Sequence, residues 1–132
     1  MNKAWMAAGA MGAAIALSGC GTAEKMAQDK GYEPVSQAEM EESYSRARTI
    51  AWRNERGRSG TATYHPDGTA QVAWEGGSDE GTWRIVDGRF CSKWRTVRNG
   101  VENCTRTYKL GENEYQAYNA DGTLNSSLSF VD

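Results

Sequence analysis

Three cysteines offer the most reactive side chains of this 132-residue chain, and the first of them has a distinctive context. Cys20 follows Leu17-Ser18-Gly19 at the end of an apolar run. This order of residues is typical of a bacterial lipoprotein signal, in which the leader is removed and the cysteine is acylated. A transmembrane helix is the alternative, but a span needs about 20 apolar residues and this run is shorter. We therefore predict a signal peptide over residues 1–19 and lipidation at Cys20.

The other two cysteines, Cys91 and Cys104, have the context of a structural disulfide. Two cysteines left over in an exported chain usually pair. A bond between them would close a short loop and stabilise the protein by about 3 kcal/mol. A metal site is the alternative, but His65 is the only histidine and the chain has no Cys-x-x-Cys motif. We predict a Cys91–Cys104 disulfide and no metal.

No other group of residues has the pattern of a catalytic site. His65 lacks the partners that nucleophilic or zinc chemistry requires. Asp79 and Glu80 are adjacent in a glycine-rich segment, so their side chains need not converge as acid and base. Gly76-Gly77 is not followed by the Lys-Ser/Thr of a phosphate-binding loop. The sequence therefore predicts a protein that is not an enzyme and that uses no cofactor.

Acylation at Cys20 would keep the body of the protein in water beside a membrane. Each buried acyl CH₂ contributes about 0.8 kcal/mol, and more than one chain gives stable anchoring. Gly21 follows the cysteine, where an aspartate would favour retention in the inner membrane of a two-membrane bacterium. We therefore expect the outer membrane, with the protein facing the periplasm. The formal net charge of −2, which becomes more negative when Lys3 leaves with the leader, gives no reason to expect nucleic acid.

The remainder is long enough for one small domain, which we place at residues 36–132. Residues 20–35 are polar and patternless, and we predict that they form a flexible tether. Ser36 and Glu39 have the spacing of a capping box, which predicts a helix that runs to about Ala47. Its apolar face is narrow, which favours packing on the domain over binding to a membrane.

Beyond the helix the apolar residues alternate with a period of two, and turn signals rich in glycine recur at short intervals. Short alternating strands between regular turns are typical of an antiparallel meander. The predicted fold is mainly β, with the N-terminal helix packed on about eight strands that curl into a small barrel or half-barrel. The strands are expected at 50–54, 60–65, 69–74, 81–86, 89–97, 102–109, 114–119 and 123–130.

The turn residues of one hairpin predict its register. If residues 66–68, Pro-Asp-Gly, form a three-residue loop, Tyr64 lies opposite Ala70 and Ala62 lies opposite Val72. All four apolar side chains then share one face. A four-residue loop would mix apolar and polar positions, so the three-residue loop is predicted.

The stretch GTWRIVDGRFCSKWR contains the strongest hairpin signal, Asp87-Gly88. A two-residue turn pairs Ile85 with Phe90, and alternation then places Trp83 and Trp94 on the same inward face. Basic side chains take the opposite, outward face and form a candidate binding face for an anionic partner. These residues are Arg84, Lys93, Arg95 and Arg106.

The next hairpin conflicts with the predicted disulfide if its turn is tight. A tight turn at Asn99-Gly100 would place Cys91 opposite Tyr108, about four residues from Cys104. A disulfide needs Cα atoms roughly 5.5–6 Å apart. We therefore expect a wider loop between the two cysteines.

Four stretches, YHPDGTAQVAW, GTWRIVDGRFCSKW, ENCTRTYKL and YNADGTL, resemble a family of small exported bacterial proteins of unknown function. Members have an N-terminal helix and a β-meander with a GTW-x-x-x-DG-x-x-C signature. The resemblance covers roughly residues 36–130 and implies an exported β-domain, with no catalytic residues. The small lipoprotein lysozyme inhibitors share the size, anchor, barrel and disulfide, but their inhibitory loop motif is not evident in this sequence.

These features together predict a lipid-anchored cell-envelope protein with a non-catalytic binding or structural role. Its expected partners are the membrane, through Cys20, and an envelope protein or wall polymer. One alternative is an inhibitor of a cell-wall hydrolase, with a loop at 75–80 or 97–103 inserted in the enzyme. The other is a carrier that holds a small ligand inside the barrel, which requires an internal cavity.

Overall fold

The computed structural model describes residues 22–132, so the predicted signal peptide and Cys20 lie outside the described residues. The helices are α1 Ala23–Asp29 and α2 Gln37–Ser43, and a short 3₁₀ turn spans Val97–Gly100. The strands are β1 Glu33–Pro34, β2 Arg48–Asn54, β3 Ser59–Tyr64, β4 Thr69–Trp74, β5 Gly77–Val86, β6 Arg89–Trp94, β7 Asn103–Gly111, β8 Glu114–Tyr118 and β9 Leu124–Phe130.

Eight of these strands form a closed antiparallel barrel. Each strand from β2 to β9 pairs with the next along the chain, and β9 pairs back onto β2. This confirms the predicted meander of eight strands and decides between a barrel and a half-barrel. Closure leaves the long strands without a free edge, which removes the hazard of edge-to-edge aggregation.

The barrel has two ends that differ in how they are covered. At one end, the turns 65–68, 87–88 and 112–113 lie beside α2, and we call this the capped end. The turns 55–58, 75–76, 95–102 and 119–123 lie at the other end, which we call the open end. The turns alternate between the two ends, because each hairpin of the meander reverses the direction of the chain.

The predicted registers are confirmed in the two hairpins with clear turn signals. Tyr64 pairs with Ala70 and Ala62 pairs with Val72, as a three-residue loop requires. Gly68 closes this loop with a φ of +93°, a conformation that costs glycine little. In the second hairpin Ile85 pairs with Phe90 across the Asp87-Gly88 turn.

The Cys91–Cys104 disulfide is also confirmed, with the two Cα atoms 3.9 Å apart. The cysteines lie directly opposite each other on β6 and β7. The wide loop 95–102 makes this register available. The two strands otherwise share only the pairs that flank the disulfide, so this seam of the barrel is short.

Aromatic side chains fill much of the interior, as alternation along the strands predicted. Trp94 and Tyr64 belong to the buried core, and Trp83 stacks on Phe90 with ring centroids 5.5 Å apart. Tyr44, at the C-terminal end of α2, reaches into the capped end, where its ring centroid lies 5.0 Å from that of Phe90. The helix therefore closes this end of the barrel with one aromatic side chain.

The capping box of α2 forms as predicted, but the helix is shorter than expected. Ser36 and Glu39 satisfy each other's backbone N–H groups. The helix ends at Ser43 rather than near Ala47, because the chain turns to deliver Tyr44 to the interior. Arg48 Nη1 donates to the Ser43 carbonyl at 2.8 Å and secures the connection to β2.

The prediction of a flexible tether is wrong for residues 22–35. Helix α1 lies on the outside of the barrel, where Ala27 packs against Tyr108 and Tyr118. Strand β1 pairs with Tyr108 and Lys109 of β7, beyond Thr105, the last residue of β7 that pairs with β6. The physical reason is that β7 and β8 present tyrosines outward, and this apolar patch needs a cover.

The largest difference in a strand boundary is the start of β5. Strand β5 starts at Gly77 rather than residue 81, because the connection from β4 is a two-residue turn at Glu75-Gly76. The segment 75–80 is therefore almost entirely strand and provides no protruding loop.

Candidate functional site

The barrel interior contains a cavity of about 250 Å³ that extends to the open end. Three tryptophans form its aromatic walls, Trp52, Trp74 and Trp94, each from a different strand. They reach the interior because each occupies an inward position of the alternating pattern. The buried Tyr64 lines the cavity as well.

Polar side chains form the other part of the lining. Asn103, Thr105, Asn125 and Ser126 come from β7 and β9 and face the aromatic strands. Asn125 Nδ2 donates to Asn119 Oδ1 at 3.0 Å, which links this wall to the 119–123 turn. A cavity with one aromatic side and one polar side suits an amphipathic ligand.

Two arginines line the cavity at the open end, and none of the described residues in its lining carries a carboxylate. These are Arg58, at the end of the 55–58 turn, and Arg98, in the 95–102 loop. Neither forms an ion pair with a described carboxylate. Partial burial lowers the pKa of Arg98, which stays exposed to solvent, while Tyr64 raises it. The rim therefore carries positive charge that the described part of the chain does not neutralise.

One buried polar group of the lining lacks a hydrogen-bond partner among the described residues. The Nε1 of Trp52 is buried and donates to no acceptor. Burial raises the pKa of the Tyr64 hydroxyl, an effect that Arg98 partly opposes. A buried polar group without a partner typically costs about 1–3 kcal/mol, and such groups often mark a binding site.

Asp79 holds the 95–102 loop and thereby positions Arg98. Its Oδ2 accepts hydrogen bonds at 2.9 Å from the backbone N–H groups of Thr96 and Val97 and from the Thr96 hydroxyl. The Val97 N–H, helped by that of Thr96 and against burial, lowers the pKa of Asp79 to about 2. The carboxylate is thus charged at neutral pH, and its role is to order the loop.

The backbone of the loop is unusual at the residues that follow. Arg98 and Asn99 have φ values of +56° and +55°. These values lie in the left-handed region, which residues other than glycine and asparagine rarely adopt. Such conformations cost roughly 1–2 kcal/mol and persist where the surrounding contacts impose them. The Asp79 hydrogen bonds to the first turn of the loop provide that constraint.

A second cavity of about 450 Å³ lies beneath α2 at the capped end. It is lined by Met40 of α2, by Tyr44 directly after the helix, and by Tyr115 and Phe130. Tyr44 lies between the two cavities together with four other residues that line both, Ile50, Phe90, Thr107 and Leu128.

The basic residues predicted as a binding face lie on the outside of the barrel, and acidic partners engage three of them. Arg84 forms two hydrogen bonds with Glu102, at 2.8 and 2.9 Å. Arg95 lies 3.6 Å from Glu80, and Arg106 lies 3.5 Å from Glu24 of α1. Lys93 pairs with Thr82 and is exposed. The contact with α1 separates Arg106 from the other three, and the binding face stays a prediction.

The disulfide lies on this same outer side and has a structural role. Cys91 is fully buried, and the Glu102 carboxylate lies near both sulfur atoms. The cysteines are already bonded to each other, so this group does not offer thiolate ligands to a metal.

The sequence analysis missed Arg58 and Arg98 as site residues because both lie in turns, where inward and outward positions do not alternate. Among the described residues, no helix is long and apolar enough to cross a membrane. Comparison with protein-family models, curated proteins and solved structures finds no match for this chain.

Proposed function

We propose that this chain is a lipid-anchored cell-envelope protein that binds a small anionic amphiphile inside its barrel, without catalysis. The observation that carries the proposal is the open-end cavity, which combines tryptophan walls with two arginines and has no carboxylate among its described lining residues. An apolar body would lie between the tryptophans, and its acidic group would reach Arg58 and Arg98 at the rim.

The volume and the aromatic lining limit the ligand to a small molecule. A cavity of about 250 Å³ is below the roughly 300–1,000 Å³ of sites for drug-sized ligands. A short alkyl or single-ring acid fits this description better than a folded polymer segment. This proposal favours the carrier among the three functions that the sequence suggested, because a carrier needs an internal cavity.

The cellular location in this proposal depends on the sequence alone. The Leu17-Ser18-Gly19-Cys20 pattern supports acylation, and Gly21 favours the outer membrane on its periplasmic side. The disulfide between Cys91 and Cys104 is in keeping with an oxidising compartment.

Quenching of tryptophan fluorescence by 8-bromooctanoate tests the binding proposal, because bromine quenches only at close range. We expect saturable quenching of the chain from residue 20 onward, and weaker quenching by the neutral 8-bromooctanol. Arg98→Gln should weaken octanoate binding about tenfold, which corresponds to losing one charged hydrogen bond. Arg53→Gln, an exposed arginine outside the cavity lining, is the matched control and should bind normally.

Filling the cavity gives a second and independent test. Ser92 lines the cavity and forms no hydrogen bond through its hydroxyl among the described residues, so Ser92→Leu adds apolar volume at little cost. The variant should keep or raise the thermal midpoint and lose 8-bromooctanoate binding. Unchanged binding in Ser92→Leu, or no saturable quenching in the parent chain, would overturn the proposal.

A hydrolase inhibitor is the second candidate, and the 95–102 loop favours it. The loop is exposed at Arg98 and Asn99 and is held by the Asp79 hydrogen bonds, as an inhibitory loop should be. Protection of bacterial cells from lysozyme in a turbidity assay, lost in the Arg98→Ala variant, would support this function. No protection at micromolar protein would exclude it for lysozyme.

A further inference from the structure

The position of α1 fixes where the predicted lipid anchor leaves the barrel. Thr22 is the N-cap of α1, and the helix is held to the barrel along its length. Tyr108 Oη donates to Glu24 at 2.8 Å and accepts from Gln28 Nε2 at 2.9 Å. A flexible tether over residues 20–35 would separate anchor and domain by roughly 20 Å, and this packing removes that freedom from residue 22 onward.

The start of α1 lies at the open end of the barrel. The backbone N–H of Glu24 donates to the Gly122 carbonyl at 3.0 Å, and Gly122 belongs to the 119–123 turn. A side chain at Gly122 would collide with Thr22. Cys20 is two residues before Thr22, so covalent geometry alone keeps the two Cα atoms within about 7 Å. Acyl chains on Cys20 would therefore emerge beside the open end.

The two ends of the barrel differ in charge. At the capped end exposed acidic residues outnumber exposed basic ones, with Glu39, Glu41, Glu42, Asp67, Asp87 and Glu112 against Arg46, Arg89 and Lys109. The turns of the open end are balanced, with Arg56, Arg58, Arg95 and Arg98 against Glu55, Glu75, Glu102 and Asp121. Of these bases, Arg56, Arg58 and Arg98 form no ion pair with a described carboxylate. Of the two ends, the open one is the less repelled by an anionic bilayer.

An exposed apolar side chain strengthens this assignment. Val101, in the 95–102 loop, is 63% exposed, compared with 58% for Met26 of α1 and 55% for Val131 after β9, the other exposed large hydrophobic residues in the described part of the chain. An apolar side chain beside arginines is the composition that inserts at the headgroup boundary of a membrane.

We propose that the open end of the barrel rests on the anionic bilayer to which Cys20 is attached, so that the cavity opens onto the lipid surface. This inference rests on the acylation of Cys20 that belongs to the proposed function. In this orientation an amphiphile could pass between bilayer and cavity without crossing the aqueous phase. The capped end, with its acidic residues, faces away from the membrane.

The test attaches the chain from residue 20 onward to vesicles through the Cys20 thiol and a maleimide lipid. Cys91 and Cys104 are bonded to each other, so Cys20 is the only free thiol, and the test does not depend on acylation in the cell. Hydrogen–deuterium exchange is then compared on phosphatidylglycerol and phosphatidylcholine vesicles. We expect the 55–58 and 95–102 turns to gain at least threefold protection on phosphatidylglycerol, and 65–68 and 112–113 to be unchanged.

Charge reversal provides the matched control. The double variant Arg56→Glu/Arg58→Glu should lose the protection of the open-end turns, whereas Arg46→Glu/Arg89→Glu, near the capped end, should retain it. Protection of the capped-end turns instead, or of neither end, would overturn the orientation. Octanoate binding in solution and the mass of the membrane-extracted protein report separately on the cavity and on acylation, so each claim can fail alone.

Discussion

Removal of the Cys91–Cys104 disulfide should weaken the barrel at its shortest seam. Strands β6 and β7 pair only at Phe90, Cys91 and Ser92 with their three partners, whereas β5 and β6 share twice that length of pairing. The bond closes a loop with a sequence separation of 13, for which the chain-entropy relation gives about 3 kcal/mol. For a domain of this size, that loss corresponds to a fall of roughly 10–15 °C in Tm.

The assay is urea unfolding of the double variant Cys91→Ala/Cys104→Ala, in a chain whose Cys20 is replaced by serine. The parent chain reduced with dithiothreitol is the matched control, because it keeps both thiols and loses only the covalent link. The two should lose similar stability, and dithiothreitol should not affect the double variant further. A loss below about 0.5 kcal/mol on reduction would refute the view that this bond secures the barrel seam.

Three further predictions concern the elements that build the site. Asp79→Asn should release the 95–102 loop and raise amide exchange at Thr96 and Val97. In the parent chain, the stabilisation from Asp79 is present above the unfolded pKa of about 3.9 and is lost as the pH falls through the folded pKa of about 2. The free energy of unfolding of Asp79→Asn should therefore depend less on pH over that range. Equal pH profiles for the two proteins would contradict the role of Asp79. Gly122 has a φ of +88°, and a side chain there would collide with Thr22, so Gly122→Ala should lower the free energy of unfolding by about 2–4 kcal/mol. Gly57 has a φ of +83° and open space around it, so the control Gly57→Ala should lose only about 1–2 kcal/mol. Similar losses in urea unfolding would mean that α1 does not dock at the 119–123 turn. Tyr44→Ala should lower the free energy of unfolding by about 3 kcal/mol, because the Tyr44 ring contacts four aromatic rings, those of Tyr64, Trp83, Phe90 and Phe130. The substitution should also join the two cavities. An unchanged thermal midpoint would show that Tyr44 does not close the capped end.

The barrel could be predicted because its turns specify register. Pro66-Asp67-Gly68 and Asp87-Gly88 each admit one loop length that leaves the apolar residues on a single face, and the structure has both registers. The conflict between a tight turn at Asn99-Gly100 and the disulfide correctly indicated a wide loop. Local chemistry and alternation were therefore sufficient for the strands.

Helix α1 could not be predicted because its own residues give little signal. It has seven residues, and the side chain it buries most deeply is that of Ala27, which is too small to define an apolar face. Its docking surface is formed by Tyr108 and Tyr118, which are distant in sequence and face outward from the barrel. The available signal was the outward position of those tyrosines, which a solvated strand would not favour.

The positive charge of the cavity rim also could not be predicted from the sequence. Arg58 and Arg98 lie in turns, where no periodicity assigns a side chain to the inside or the outside. Arg98 reaches the rim because Asp79, on a neighbouring strand, orders the loop around it. This placement depends on the contacts of Asp79 with residues 17 and 18 positions later, which the alternation of residue types along the chain does not predict.

The position of a bound bromine atom tests the central claim most directly. A crystal of the chain from residue 20 onward, soaked in 8-bromooctanoate, would locate the halogen by its anomalous scattering. We predict one bromine inside the barrel, in contact with Trp52, Trp74 or Trp94, and the carboxylate near Arg58 and Arg98. Bromine found only on the outer surface, or an interior that stays empty at saturating ligand, would contradict the account.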